Sequence, residues 1–239
     1  MPAPVFAYRS SVYSTTAATS YTCSPTYTPA AGALLVAFVV TTLGATPLDP
    51  TSVTGHGVTF TMLTLSARTL STTHAVSVWI ANSGASPSST AVVASYGAVS
   101  QTGGAVIEFE VTMVDLTTLA GSVVQQPTNT GTATSGTVTL SAAAHVNNRP
   151  MSFWLHLANE ATTFRTNWTE TAGADGNFNT PPTGAEGQFR SDAFETTASA
   201  SWTTSSLWRG VALEIKGAPD ALKFQPLAPQ QAVMRASLW

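Results

Sequence analysis

Glu108 and Glu110 stand two apart in the run IEFEV, a spacing that sends both carboxyls out of one face of a β-strand. Paired carboxylates are what glycoside hydrolysis needs, one as the acid and one as the nucleophile or base. They alternate here with Ile107, Phe109 and Val111. The apolar residues claim the core face, so the two glutamates are expected in a solvated outer row that discourages stray edge pairing. The histidines, His56, His74, His145 and His156, are scattered, with no pair at close ligand spacing. His156 lies four residues before Glu160, but at the end of a strand that spacing does not put them on one face. A single cysteine, Cys23, rules out an intramolecular disulfide and a thiolate metal cluster. With no base near it in sequence, it reads as a small residue of an N-terminal strand or turn.

Other chemistry is missing by pattern. There is no G-x-S-x-G elbow and no run of helices for an α/β-hydrolase to be built on. Gly103-Gly104 belongs to no phosphate-loop pattern and is expected to be a hairpin turn. Asn167-Trp168-Thr169 matches a glycosylation sequon, accidental in a chain without an export signal. The residues thus point away from an enzyme and ask for no metal or other cofactor. Tryptophans make the better case for binding. Trp154 and His156 share the face opposite the Met151–Leu157 apolar row, while Trp168, Trp202 and Trp208 fall beside a polar stretch. Trp154, Trp168 and Trp202, if exposed, would form a platform for sugar rings; a core or a subunit interface suits the same indoles equally.

The elements that must position these groups are strands. The 239 residues hold only 9 Lys and Arg against 12 Asp and Glu, far below the quarter that is usual, with 44% apolar residues to fill a core. Solvation must come from hydroxyls and small residues, a surface suited to packing against other copies. A net charge of −3 without a basic stripe excludes nucleic acid as a partner. The most apolar run, ALLVAFVV at 33–40, is too short for a bilayer, which takes about 20 residues; it reads as a strand buried on both faces. The opening MPAPVFAYRS lacks the basic and apolar regions of a secretory signal, so synthesis in the cytoplasm without export is expected.

About ten strands are predicted, bounded by Gly, Pro, Asn and Ser clusters: 5–13, 33–41, 58–65, 75–81, 90–96, 105–114, 136–142, 151–158, 198–203 and 208–216. In the last, Val211, Leu213 and Ile215 point inward and Ala212, Glu214 and Lys216 outward. No stretch of a dozen residues keeps helical spacing. The expected fold is all-β, an antiparallel β-sandwich of jelly-roll type, with residues 1–216 as one domain. Residues 159–195 carry 8 of the acidic and basic side chains together with turn formers. They read as a long polar loop that either binds something or is ordered by its own ion pairs. Residues 217–239 read as an extended, proline-punctuated C-terminal arm. Its anchors Phe224, Leu227, Met234, Leu238 and Trp239 are suited to docking on a neighbour, the other reading being that it packs along its own domain.

Four segments carry a resemblance: SVTGHGVTF at 52–60, THAVSVWIANSGASP at 73–87, IEFEVTMVDL at 107–116 and SWTTSSLWRGVALEIKG at 201–217. In style they are similar to jelly-roll accessory virion proteins of tailed bacteriophages, over roughly residues 30–217. The resemblance brings over no catalytic residue. It implies a non-enzymatic capsid decoration or accessory protein, made in the host cytoplasm and resident in the virion. The implied partners are the major capsid protein or neighbouring copies of the chain in a homo-oligomer, with no nucleic acid and no membrane. The alternative is a carbohydrate-binding module of a head or tail fibre, which would contact a host surface glycan through the three indoles.

Overall fold

The computed structural model describes residues 2–65, 68–179 and 181–219; the anchors Phe224, Leu227, Met234, Leu238 and Trp239 lie outside them. The chain opens with β1 (Val5–Ser14), β2 (Ser20–Thr22), β3 (Leu34–Thr42), β4 (Ser52–Gly55), β5 (Val58–Thr59) and β6 (Thr61–Met62). It continues through β7 (His74–Asn82), β8 (Val93–Ser95), β9 (Gly103–Thr112), β10 (Val123–Gln125) and β11 (Thr128–Thr139). The last strands are β12 (Arg149–His156), β13 (Thr163–Phe164), β14 (Thr169–Phe178), β15 (Thr183–Phe189) and β16 (Thr197–Ile215). One short 3₁₀ turn, Ala120–Ser122, is the only helical element among the described residues.

Two antiparallel sheets face each other as a sandwich, one ordered β1-β9-β3-β7-β6 and the other β10-β16-β12-β15-β14. Between them lies the main core. Leu34, Val36, Phe38 and Val40 of β3 and Ile107, Phe109 and Val111 of β9 meet Met151, Phe153 and Leu155 of β12 and Val211, Leu213 and Ile215 of β16. Phe38 stacks on Phe153 at 4.7 Å, and Phe109 meets Phe153 edge-on at 5.9 Å. The period of two in these strands makes that face continuous.

Each sheet is then covered on its other face. A small sheet, β2-β8-β4-β5, lies over the first. It closes a second core of Tyr21, Val53, Val92, Ala94 and Tyr96 against Leu35, Ala37, Val39, Trp79 and Val106. Over the second sheet, β16 and its partner β11 run on past the sandwich, with a register break between Ala133 and Ser135. This part gathers Val138, Leu140, Trp154, Trp168, Ala198, Ala200, Trp202 and Trp208 into a third core. All nine residues of β3 are buried as a result, as a strand covered on both faces must be.

Several sequence expectations give way here. The two strands expected at 198–203 and 208–216 are one strand, β16, because β11 pairs with it on both sides of the register break. The stretch expected to be a polar loop at 159–195 holds three strands, β13, β14 and β15. β15 escapes pattern reading because small residues fill its inward face beside Phe189. A Cβ on Gly187 would sit 2.5 Å from the Phe109 ring, so that strand has no room for a β-branched signal. Gly103-Gly104 is not a hairpin turn but the start of β9, and glycine is needed because the Tyr21 ring lies 2.6 Å from where the Gly104 Cβ would be.

Phe153 is the ring shared by both aromatic contacts at the centre of the main core. Phe153→Ala is expected to cost about 3–5 kcal/mol, with little collapse of the cavity because β-sheet backbones on both sides resist it. Urea unfolding followed by tryptophan fluorescence measures this.

Candidate functional site

The Glu108–Glu110 pair does lie on one face of β9, but that face is covered, not solvated. Both glutamates are buried, at 0% and 1% exposure, because the small sheet and the segment around Tyr27 close over them. Each has gathered donors. Ser10 Oγ donates to Glu108 at 2.6 Å and Tyr27 Oη at 2.9 Å, and His56 Nε2 lies 2.8 Å away. Arg9 Nε donates to Glu110 at 2.7 Å and the Ala30 amide at 2.8 Å. Arg9 also sits over the Tyr27 ring, 5.2 Å from its centroid.

The sequence Gly55-His56-Gly57 explains how His56 reaches this point. It joins β4 to β5 as a two-residue turn with His56 at φ 56° and Gly57 at φ 82°, the positive dihedrals that a type I′ hairpin requires. A non-glycine residue in that region costs on the order of 1 kcal/mol, which the bond to Glu108 offsets. The other ring nitrogen, Nδ1, faces the Ser88 carbonyl at 3.3 Å. With an acceptor facing each nitrogen, the surroundings favour the protonated ring over the neutral one. Burial acts to lower its pKa, but the Glu108 carboxylate outweighs it and the net shift is upward. Burial and Glu108 likewise push the Tyr27 phenol up, and burial pushes up the Cys23 thiol. Neither is a nucleophile at neutral pH. The network is an internal clamp: every carboxylate oxygen is held by a donor, and none faces a cleft where a substrate bond could sit.

The indoles do not form a platform. Trp154, Trp168 and Trp202 are 0%, 3% and 6% exposed, sealed in the third core where β11 and β16 fold over the sheet. Their N–H groups are already used: Trp154 donates to Ser152 Oγ at 3.1 Å, Trp168 to Glu195 at 3.0 Å and Trp202 to the Ala133 carbonyl at 3.0 Å. Trp202 stacks on His156 at 4.6 Å instead of on a ligand. One signal for this was in the sequence. Ser152-x-Trp154 repeats Ser77-x-Trp79, and in both a serine two residues back on the same strand face accepts the indole N–H, an arrangement that suits a buried ring.

The histidines are separate structural groups. His74 and His156 are buried and held down to a pKa of about 4 by desolvation. Each is fixed by a hydroxyl on another strand or loop, Thr183 and Thr162 respectively, both at 3.0 Å. Among the described residues no three His, Cys, Asp or Glu side chains gather into a metal-binding group. Glu214, expected to point outward, is buried; it accepts from the Ala144 amide at 2.8 Å and from the Asn148 and Gln125 side chains. That bond set ties the 140–148 loop onto the sheet. In the 159–195 stretch the ion-pair reading holds for part of the charge. Arg165 pairs with Glu195, and Arg190 bridges Glu195 at 2.6 Å and Asp192 at 2.8 Å. Glu186 stands outside these pairs.

What remains for outside partners is a set of shallow grooves. A cavity of about 480 Å³ lies at the open sandwich edge between β6 and β10, lined by Met62, Leu63, Leu119, Val123 and Val124. A smaller one, about 210 Å³, runs over β11, β13 and β16 among Ser135, Thr137, Phe164, Arg165, Ser199 and Ser201. Neither converges acid, base and nucleophile.

Removing one partner of the clamp leaves the other charge buried and unpaired, so Glu108→Ala is expected to cost about 3–5 kcal/mol in urea unfolding. The pH dependence follows from the sign of the His56 shift. A raised folded pKa means the stabilisation is complete below about pH 6.5, the ordinary histidine value, and is lost as pH rises through the folded value. Asn tolerates the left-handed backbone at this position, so in His56→Asn that part of the alkaline loss should disappear from denaturation midpoints measured between pH 5 and pH 9.

No family model, no curated protein and no solved structure matches the chain, and its function has to be argued from its own geometry.

Proposed function

We propose that the chain is a non-enzymatic structural protein of a bacteriophage virion, a decoration or accessory protein on the capsid exterior. The observation that carries this reading is where the few charges go. Glu108, Glu110, Glu186, Arg209 and Glu214 are all buried, and most of the remaining described charges are taken up in ion pairs such as Lys216–Asp115 and Arg68–Asp49. The outside of the layered sheets is then largely hydroxyl, with single apolar side chains such as Val5, Phe164 and Leu207 exposed among them. β11 alone shows exposed Thr130, Thr132, Thr134, Ser135, Thr137 and Thr139. A surface with so little charge to desolvate loses little on being packed against neighbours, which suits a protein that acts by repeated contact on a lattice. The segment likeness to jelly-roll virion modules points the same way, and we read the crossed strand order of the sandwich as that type.

In this reading the partners are the major capsid protein or neighbouring copies, reached through the sandwich and through the C-terminal arm with its anchors Phe224, Leu227, Met234, Leu238 and Trp239. The arm starts from a fixed root, where Gly217 donates to Asn148 Oδ1 at 3.2 Å and Ala218 to the Met113 carbonyl at 2.8 Å. The glycan-binding alternative has lost its platform with the burial of the three indoles.

The test compares the full chain with one ending at Pro219, which keeps both root hydrogen bonds. At concentrations where both are monomeric they should unfold with the same midpoint, because the three described cores lie within the shared residues. The full chain is expected to form oligomers by native mass spectrometry or to cosediment with phage capsids, and the shortened one to do neither. Identical monomers that both ignore capsids would end the virion reading.

A further inference from the structure

One buried acid is used by nothing described so far. Glu186 sits in the middle of β15 at 0% exposure, and neither carboxyl oxygen has a hydrogen-bond partner among the described residues. Its cross-strand neighbours are Trp154 on β12 and Asp175 on β14. The charged groups coupled to it are Glu170 and Asp175, both carboxylates on β14. Tyr13, on β1, also senses Asp175 and Glu186 and stays a neutral phenol. On β12, His156 shares the face but is neutral, with one nitrogen on Thr162. Arg165, on the segment that covers this face through its amide bond to Gln188, is committed to Glu195. Among the described residues no cation offsets the acid.

The strand that faces it ends the strand order of its sheet. β14 is the edge, paired only with β15, and its register breaks between Glu170 and Asp175. Within the break Gly173 takes φ 99°, and a side chain there would strike the Tyr8 hydroxyl at 2.5 Å. A Tyr13 hydrogen bond to the Gly173 carbonyl, 3.1 Å, holds the bulge to β1.

We propose that the Glu186 carboxyl is a proton-operated latch for the β14 edge: protonated, it lets β14 lie against β15, and ionised, it drives β14 away. A dry carboxyl with two acids beside it and no donor must either keep its proton or admit water to solvate the charge, and the edge strand is what must move to admit it. Burial first, then Glu170 and Asp175, hold the Glu186 pKa well above the ordinary carboxylate value. The folded protein therefore keeps a proton that the opened strand releases, and the closed state weakens as pH rises above about 4.5 toward the folded pKa. His156, neutral when folded, acts in the opposite direction below about pH 6.5, so the latch is read above that pH.

The experiment is hydrogen–deuterium exchange of residues 169–178 in the full chain from pH 6.5 to 9, corrected for intrinsic exchange. In the wild type, protection of β14 should fall by on the order of tenfold or more, one decade per pH unit of ionisation. Glu186→Gln should hold its protection within about twofold over the same range. A parallel fall in Glu186→Gln overturns the latch. So does restoration of wild-type protection by millimolar calcium at the alkaline end, which would make the site a cation site. Should Glu186→Gln not fold, Asp175→Asn decides: with one like charge gone, the loss of protection must shrink, and an unchanged loss refutes the proposal.

Discussion

Burying both faces of a β-sheet removes the freedom that ordinarily lets a strand alternate apolar in and polar out, and this molecule does it to both sheets of its sandwich. The outer-face side chains of the central strands β3, β9, β12 and β15 are then interior side chains, and a polar one among them needs its partners from within. The second and third cores, the clamp around Glu108, the tethering of the 140–148 loop by Glu214 and the serine-capped indoles are consequences of that single condition. So is the use of glycine where layers touch most closely. A Cβ on Gly210 would lie 2.5 Å from the Trp154 ring, and one on Gly136 2.7 Å from it. The large indole is accommodated by the absence of side chains above and beside it.

Glu108 and Glu186 show two answers to the same problem. Both are mid-strand, outer-face acids under a cover layer. Glu108 is met by a hydroxyl, a phenol and an imidazole, so both of its oxygens have partners. Glu186 is met by a ring and two more acids, so its proton is kept. Which answer applies depends on what the cover brings. Over β9 it brings a hairpin tip, Gly55-His56-Gly57, able to aim a cation downward. Over β15 it brings Arg165, whose guanidinium turns to Glu195.

The inner faces were legible from the sequence because period two is written there in large apolar residues: Met151, Phe153, Leu155 on β12 and Val211, Leu213, Ile215 on β16 lie where alternation puts them. The outer faces were not. Alternation distinguishes two faces of a strand but does not say whether the second face meets water or another layer, so pattern alone places Glu108, Glu110 and Glu214 in solvent, where the structure buries them. Only β3 announced double burial, since it carries no polar residue from Leu34 to Val40. The short strands escaped for a different reason. β2, β4, β8 and β10 have three or four residues each, too few for a period to show, and they pair because a neighbouring sheet presents them with a surface.

That shortness bears on why a chain so poor in charge places so much of it inside. Cover strands of three residues, made largely of Ser, Thr and Ala, carry little register information, and an apolar contact alone would let them slide along the sheet beneath. A carboxylate that needs its donors at fixed points does not tolerate a slip. His56 reaches Glu108 Oε1 only if the β4–β5 hairpin is in register with β9, and Ser10 reaches Oε2 only if β1 is bulged between Tyr8 and Ser10 as it is. The charged clamp is worth less as net stability than its bond count suggests, because desolvation offsets most of the attraction. Its effect is to select one arrangement of the layers among several of similar apolar contact. On the reading proposed above, that selection matters more than a margin of stability, since a cover layer out of register would change the surface offered to neighbouring copies.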